Sequence, residues 1–455
     1  MQDKPDGSTP AAGVAQWRRL VERSLAGRPF ETLQAIVEPG IVIDPLLPSA
    51  AGPPLWSRGA RAWLKLQRLD KLDERSIADG LSAGADGFEL VLAGAAADYG
   101  AALALHELDD ALTLLPIDRC PLRIACAGAG ATLAAALEKA LTRQRLDPAL
   151  LRVSWGFDPI AGIARRPSAP GDCSGEGARA ARLAHRGWRG PFFTADARLA
   201  HAAGARASTE LAYALSSFRF YLETALSAGM AAEAATAAID VALASDEDQF
   251  ISIAKLRAMR LVHARLLGAA ALPARALVLH AQTSWRMLAA EDIRSNLVRS
   301  TIAALAAGVG GADSMAVLPF TAATGMVDAE AERLALTTQA ILIAEGQIAR
   351  IADPGAGSGT IEALTLALAE DAWRQFQAIE RQGGLPQVLA SGQFAAEIAE
   401  DARRSEAEIA SGQRSVVGVT LFRADGDEAA TPRPAPVATG LDPRRAAAPF
   451  ERVAP

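Results

Sequence analysis

Cysteine is scarce in this 455-residue chain, with only Cys120, Cys126 and Cys173. An odd, sparse set makes no disulfide framework, and no C-x-x-C spacing occurs. Histidine is scarce as well: five residues are scattered along the chain, too few and too far apart for a structural zinc site. An excess of positive charge is lacking. Lys+Arg number 46 against 52 Asp+Glu, a net charge of −6. That balance opposes general nucleic-acid binding, which needs a basic surface to displace counterions. No uncharged apolar run reaches the ~20 residues of a membrane helix. The polar start, Met1 to Ala12, has no apolar signal-peptide core. Neither a P-loop nor a G-x-S-x-G motif is present. The expectation is a cytoplasmic protein with no nucleic-acid and no membrane partner.

What is present is ample core material. Hydrophobic residues make up 50% and charged residues 22%, which excludes a chain disordered along its whole length. Residues 1–70 read as an irregular arm, with one helix-like stretch (Trp17–Ala26) followed by prolines. Residues 71–422 alternate short apolar runs with Ala-rich amphipathic segments. Eight runs suit strands buried on both faces: Phe88–Leu92, Leu112–Leu115, Leu122–Cys126, Leu151–Trp155, Phe192–Thr194, Leu277–Ala281, Met315–Leu318 and Ile348–Ala352. Eight strand–helix units predict an α/β fold, a (β/α)8 TIM barrel with an extended N-terminal arm. The long gap over 196–275 predicts a helical insertion. Residues 423–455 read as a Pro-rich tail, semi-extended unless docked.

Chemistry is sparse in this pattern. His280, Gln282 and Ser284 lie at the C-terminal end of a predicted strand, where barrel enzymes place their sites. They are the candidate substrate-binding residues. Asp86, Glu89 and Asp158 are acids by position only. Gly355–Gly359 reads as a strand-to-helix turn. Lys255, Arg257 and Arg260 share a helical segment and read as a solvated or salt-bridged face.

A longer pattern carries a resemblance. It includes Gln249-Phe-Ile-Ser-Ile-Ala-Lys-Leu-Arg-Ala-Met-Arg260, Asn296-Leu-Val-Arg-Ser-Thr-Ile302, Gly308-Val-Gly-Gly-Ala-Asp313 and Ala349-Arg-Ile-Ala-Asp-Pro-Gly-Ala-Gly-Ser358. In this order the blocks resemble the methylmalonyl-CoA mutase family. The resemblance implies a barrel that interconverts methylmalonyl-CoA and succinyl-CoA with adenosylcobalamin. Catalytic members add a cobalamin-binding domain with an Asp-x-His-x-x-Gly motif, and no such motif occurs in these 455 residues. The expectation is therefore no C-terminal cobalamin-binding domain, the tail resembling the linker to one.

Four stretches depart from the catalytic pattern. Leu66-Gln67-Arg68 stands where catalytic chains have Arg-Gln-Tyr. Asp196-Ala-Arg-Leu-Ala-His201 stands near their Tyr-His pair. Ala238–Ser245 replaces Arg-x-Ser-Phe-Phe, and Val317-Leu-Pro-Phe320 replaces His-Thr-Asn. These departures, with Trp155-Gly-Phe-Asp-Pro159 and Asp246-Glu-Asp-Gln-Phe250, resemble the small, non-catalytic subunit of heterodimeric mutases. The resemblance implies a large catalytic subunit as partner, adenosylcobalamin held by that partner and none by this chain, no catalytic residues here, and an acyl-CoA ester as a candidate ligand. Two alternatives stay open. One is an active acyl-CoA mutase barrel served by a separate cobalamin chain, with His280, Gln282 and Ser284 lining its site. The other is a non-enzymatic scaffold.

Overall fold

Eight parallel strands form a ring in the computed structural model, which describes residues 11–50, 58–128, 130–167, 174–423, 432–433 and 439–452. The strands are β1 (Leu64–Leu69), β2 (Gly87–Val91), β3 (Leu122–Ala125), β4 (Val153–Ser154), β5 (Phe193–Asp196), β6 (Ile239–Ser245), β7 (Leu279–Thr283) and β8 (Ser314–Ala316). Sequence neighbours pair except β4 with β5, and β8 pairs with β1. Bridges from Phe157 to Cys126 and to Phe193 span the gap between β4 and β5. Every residue of β2, β3, β5, β6 and β7 is buried, as expected for strands with helices outside and side chains within. The expected α/β barrel is the observed fold.

Two strands differ from the expectation. β1 lies inside residues 1–70, the stretch read as an arm, because Lys65, Gln67 and Arg68 interrupt its apolar pattern. Arg68 nevertheless points inward and donates to the carbonyls of Ala97 (2.9 Å) and Ala101 (3.1 Å). β6 lies inside 196–275, the stretch read as a helical insertion; its Asp240 and two alanines gave no strand signal. Two apolar runs are not strands. Leu112–Leu115 belongs to the helix Leu108–Leu114 and its C-cap, and Ile348–Ala352 contains a 3-10 turn, Ile348–Arg350. Leu112–Leu115 packs on the barrel from outside, where apolarity is required but extension is not, whereas Ile348–Ala352 is largely a surface turn with Ile351 58% exposed.

The N-terminal arm begins with the helix Ala11–Ser24 and continues as a hairpin, Ala35–Glu38 with Ile41–Ile43, turned at Gly40 with φ +87°. Glu38 anchors the hairpin. Its carboxylate accepts from the Ala207 amide (2.6 Å) and the Ser208 hydroxyl (2.6 Å), at the N-terminus of the helix Ala207–Ser227. The opposite hairpin face carries Ile36 and Val42, 78% and 49% exposed.

The described part of the tail is docked. Residues 439–452 cross the C-terminal mouth of the barrel through backbone donors. Leu441 donates to Ala164 (2.7 Å), Arg444 to Ala202 (2.9 Å) and Ala446 to Arg286 (2.8 Å). Glu451 fixes this strap, accepting from Arg445 Nη2 (2.9 Å) and from the Ala290 amide (2.6 Å). Gly52-Pro53-Pro54 and residues 424–431, 434–438 and 453–455 of the tail fall outside the described residues. No helix among the described residues is long and apolar enough to cross a membrane.

Candidate functional site

Alternation along a strand turns every second side chain inward. In this barrel the inward set includes Glu89 on β2, Arg123 on β3, Ser154 on β4, Thr194 and Asp196 on β5, Asp240 on β6, and His280 and Gln282 on β7. They meet on the barrel axis as one buried network. Arg123 Nη1 donates to Asp240 Oδ2 at 2.6 Å, and Ser154 and Thr194 donate to the same carboxylate at 2.9 and 2.6 Å. Arg198, one turn beyond β5, donates to Asp196 through Nε (2.8 Å) and Nη2 (2.6 Å), and to Glu89 Oε1 through Nη1 (2.7 Å). Burial pushes the Glu89 carboxyl up, but Arg198, Arg123 and Arg68 outweigh it and hold it below the ordinary range. Burial works against the Arg198 charge, and Asp196 and Glu89 more than restore it.

The three candidate residues from the sequence do not form one pocket. His280 and Gln282 belong to the axial network. His280 Nδ1 lies 2.9 Å from Ser314 Oγ, and Gln282 accepts from the Tyr99 hydroxyl at 3.1 Å. Burial, with Arg123 and Arg198 nearby, keeps His280 neutral well below its usual range. Ser284 lies one step further along β7, at the mouth. Its Oγ is 2.7 Å from His201 Nε2, and His201 Nδ1 is 3.0 Å from Glu210 Oε2. Lys255 Nζ donates to the same Glu210 oxygen at 2.6 Å, and the Ala244 amide donates to Oε1 at 2.8 Å. Burial and the Arg286 charge lower His201 to about 4. Burial alone would raise Glu210; Lys255 and His201 bring it below the ordinary range.

A cavity of about 710 Å³ opens above this cluster, with His201, Lys255, Asp246 and Arg286 in its wall. At the opposite, N-terminal end, a cavity of about 240 Å³ is lined by Leu64, Leu122, Val153 and Val278, and Arg123 and Asp240 stand in its wall too. Above the network Tyr99 stacks on Trp285 with ring centroids 5.2 Å apart.

The remaining sequence candidates have structural partners. Asp86 pairs with Lys65 at 2.9 Å on the rim, and Asp158 caps the helix Pro159–Arg165. Arg257 pairs with Asp353 and with Glu362 (2.7 Å), and Arg260 with Asp313 (3.1 Å). These cations are buried rather than solvated. Gly359 begins the helix Gly359–Arg381, where a Cβ would lie 2.1 Å from the Pro48 carbonyl oxygen, so the glycine lets the arm lie close. Among the described residues, no group of three or more His, Cys, Asp or Glu could hold a metal ion.

Sequence reasoning missed His201, Glu210 and Lys255 as one cluster. They lie on three helices, and only strand order brings them together. The one available signal was a histidine five residues after the Phe193–Asp196 strand ends.

Residues 82–439 match the family model described as methylmalonyl-CoA mutase. The chain belongs to the methylmalonyl-CoA mutase family. The methylmalonyl-CoA mutase small subunit of Streptomyces virginiae is 32% identical over 461 residues, covering 94% of this chain and 73% of that one. The probable methylmalonyl-CoA mutase small subunit of Mycobacterium tuberculosis (strain ATCC 25618 / H37Rv) is 38% identical over 299 residues, 63% of this chain. The aligned part is about half of the mycobacterial protein's length, 48%. The large subunit of Streptomyces virginiae is 34% identical over 232 residues, 50% of this chain and 31% of that protein. In this family's barrel, the departures from the catalytic pattern now have positions. Arg68, Asp196, Arg198 and Asp240 lie in three of the four departing stretches, and all four point inward.

Removing one member of the axial network leaves its partners charged and unpaired out of water. Arg198→Met is expected to cost about 3–5 kcal/mol, read as a lower urea midpoint; an unchanged midpoint contradicts the network's connectivity. A second test uses His263, which burial and Arg260 lower to about 4. An unfolded histidine titrates near 6.5, so the unfolded chain gains the proton first. The contribution of neutral His263 is whole above that pH and is lost as pH falls toward about 4. His263→Leu should therefore gain on the unsubstituted chain by up to about 3 kcal/mol between pH 7.5 and pH 4; a pH-independent gap contradicts this.

Proposed function

We propose that this chain is the non-catalytic small subunit of a heterodimeric methylmalonyl-CoA mutase, supporting a large subunit that performs the methylmalonyl-CoA/succinyl-CoA interconversion. One observation carries the reading. Three of the four stretches by which the chain departs from the catalytic pattern place charged residues among those that fill the barrel axis. Arg68, Asp196, Arg198 and Asp240 take the place of groups that would meet a substrate, and they spend their hydrogen bonds inside the protein: Asp196 on Arg198, Arg198 also on Glu89, Asp240 on Arg123, Ser154 and Thr194, and Arg68 on backbone carbonyls.

Adenosylcobalamin supplies radical chemistry where it is bound. The residues at this mouth do not fit it. The strap 439–452 crosses the face a corrin would have to cover, and Trp285 and Tyr99 pack beneath. The cofactor therefore belongs, in this reading, on the large subunit. An acyl-CoA ester finds no open path along the axis, since Arg123 and Asp240 stand in the wall of the N-terminal cavity. An active barrel served by a separate cobalamin chain would need His280 and Gln282 free, and both are engaged in the network.

Partner contact falls to the arm. Ile36 and Val42 project from the hairpin while Glu38 pins its other face to the barrel. Co-expressed with a methylmalonyl-CoA mutase large subunit, this chain should elute as a one-to-one complex in size-exclusion chromatography. The double variant Ile36→Asp/Val42→Asp should weaken that complex at least about tenfold while leaving this chain's own melting temperature unchanged. No complex, or a complex indifferent to both aspartates, contradicts the proposal.

A further inference from the structure

The cluster at the barrel mouth has an order that the small-subunit reading does not use. We propose that Ser284, His201 and Glu210 form a nucleophile, general base and orienting carboxylate for acyl transfer from short activated esters or thioesters. The two contacts, 2.7 Å from Ser284 Oγ to His201 Nε2 and 3.0 Å from His201 Nδ1 to Glu210 Oε2, lie within the reach such a relay requires.

The surroundings fix the direction of the relay. Lys255 and the Ala244 amide both donate to Glu210, so that carboxylate stays ionised and accepts. His201 must then carry its proton on Nδ1 and present the Nε2 lone pair to the Ser284 hydroxyl. Burial keeps the ring neutral, as a base must be, down to about pH 4. Positive charge stands near the base, paired with a carboxylate. Arg286 reaches the carbonyls of His201 (3.3 Å) and Ala205 (2.9 Å) and the carboxylate of Asp246 (3.2 Å). The backbone N–H groups of Trp285 and Arg286, just after the nucleophile, donate to no other group among the described residues. They are available to an oxyanion.

The step balances without a further reactant. Ser284 Oγ attacks the carbonyl carbon and its proton passes to His201 Nε2. The carbon–sulfur or carbon–oxygen bond to the leaving group breaks, and the leaving group takes the proton from His201. Water then repeats the sequence on the acyl-serine and releases a carboxylic acid. Access is the limiting element. The 710 Å³ cavity reaches His201, Lys255 and Arg286, whereas Ser284 itself is 1% exposed. The strap 439–452 binds the Ala202 and Arg286 carbonyls on either side, and Glu451 anchors it.

The test uses the full chain alone, so its outcome is independent of any large subunit. A small alkyl fluorophosphonate is the probe, with peptide mapping by mass spectrometry. One adduct per chain is expected, on Ser284, together with release of p-nitrophenol from p-nitrophenyl acetate. Ser284→Ala should abolish both. Ser284→Cys should retain the fold and yield an acyl-thioester. Glu451→Ala, which loosens the strap, should speed labelling at least about tenfold, and His201→Gln should slow it at least about a hundredfold. No Ser284 adduct in either the unsubstituted chain or Glu451→Ala overturns the proposal, as does labelling indifferent to His201→Gln.

Discussion

Five ionised side chains, Glu89, Arg123, Asp196, Arg198 and Asp240, meet on the barrel axis, and each keeps its charge out of water only because another stands beside it. Such an arrangement is not an efficient way to gain stability, since desolvating each ion costs several kcal/mol and apolar side chains would fill the space as well. It does impose a condition. Once one member is present the others must be, and the space they occupy is closed to anything else. Strands from both halves of the barrel contribute, so the network also ties β2, β3, β5 and β6 across the axis at one level.

The same condition orders the periphery. With the axis filled, the C-terminal mouth is free to be covered, and the strap 439–452 covers it through backbone hydrogen bonds to the short helices after β4 and β5 and to the loop after β7. The N-terminal hairpin is fixed by one buried carboxylate, Glu38, and turns its apolar face outward. A barrel with a filled axis, a strapped mouth and an outward apolar arm suits a partner-supporting role better than a substrate-admitting one.

Much of this was legible in the sequence. Six of the eight apolar runs are strands because parallel barrel strands are buried on both sides and read as continuous apolar segments. The two missed strands, β1 and β6, carry Arg68 and Asp240, whose charges disguise them; the residues that conceal the strands are the ones that fill the axis. Leu112–Leu115 misleads for the opposite reason, since a helix packed on a barrel needs the same apolarity, and Ile348–Ala352 is an apolar run left mostly at the surface. The site was less legible. His280, Gln282 and Ser284 share a strand face, yet the first two look down the axis and the third looks into the mouth. His201 and Glu210 meet Ser284 only through folding, and no spacing announces that meeting. The family blocks were readable because they lie in order along one chain.

The most direct measurement is a turnover assay on the isolated chain, supplied with adenosylcobalamin and methylmalonyl-CoA and monitored for succinyl-CoA. A barrel whose axis is filled by Glu89, Arg123, Arg198 and their partners predicts no interconversion above the uncatalysed background. Succinyl-CoA formed at an enzymatic rate, and lost on denaturing the chain, would contradict the account.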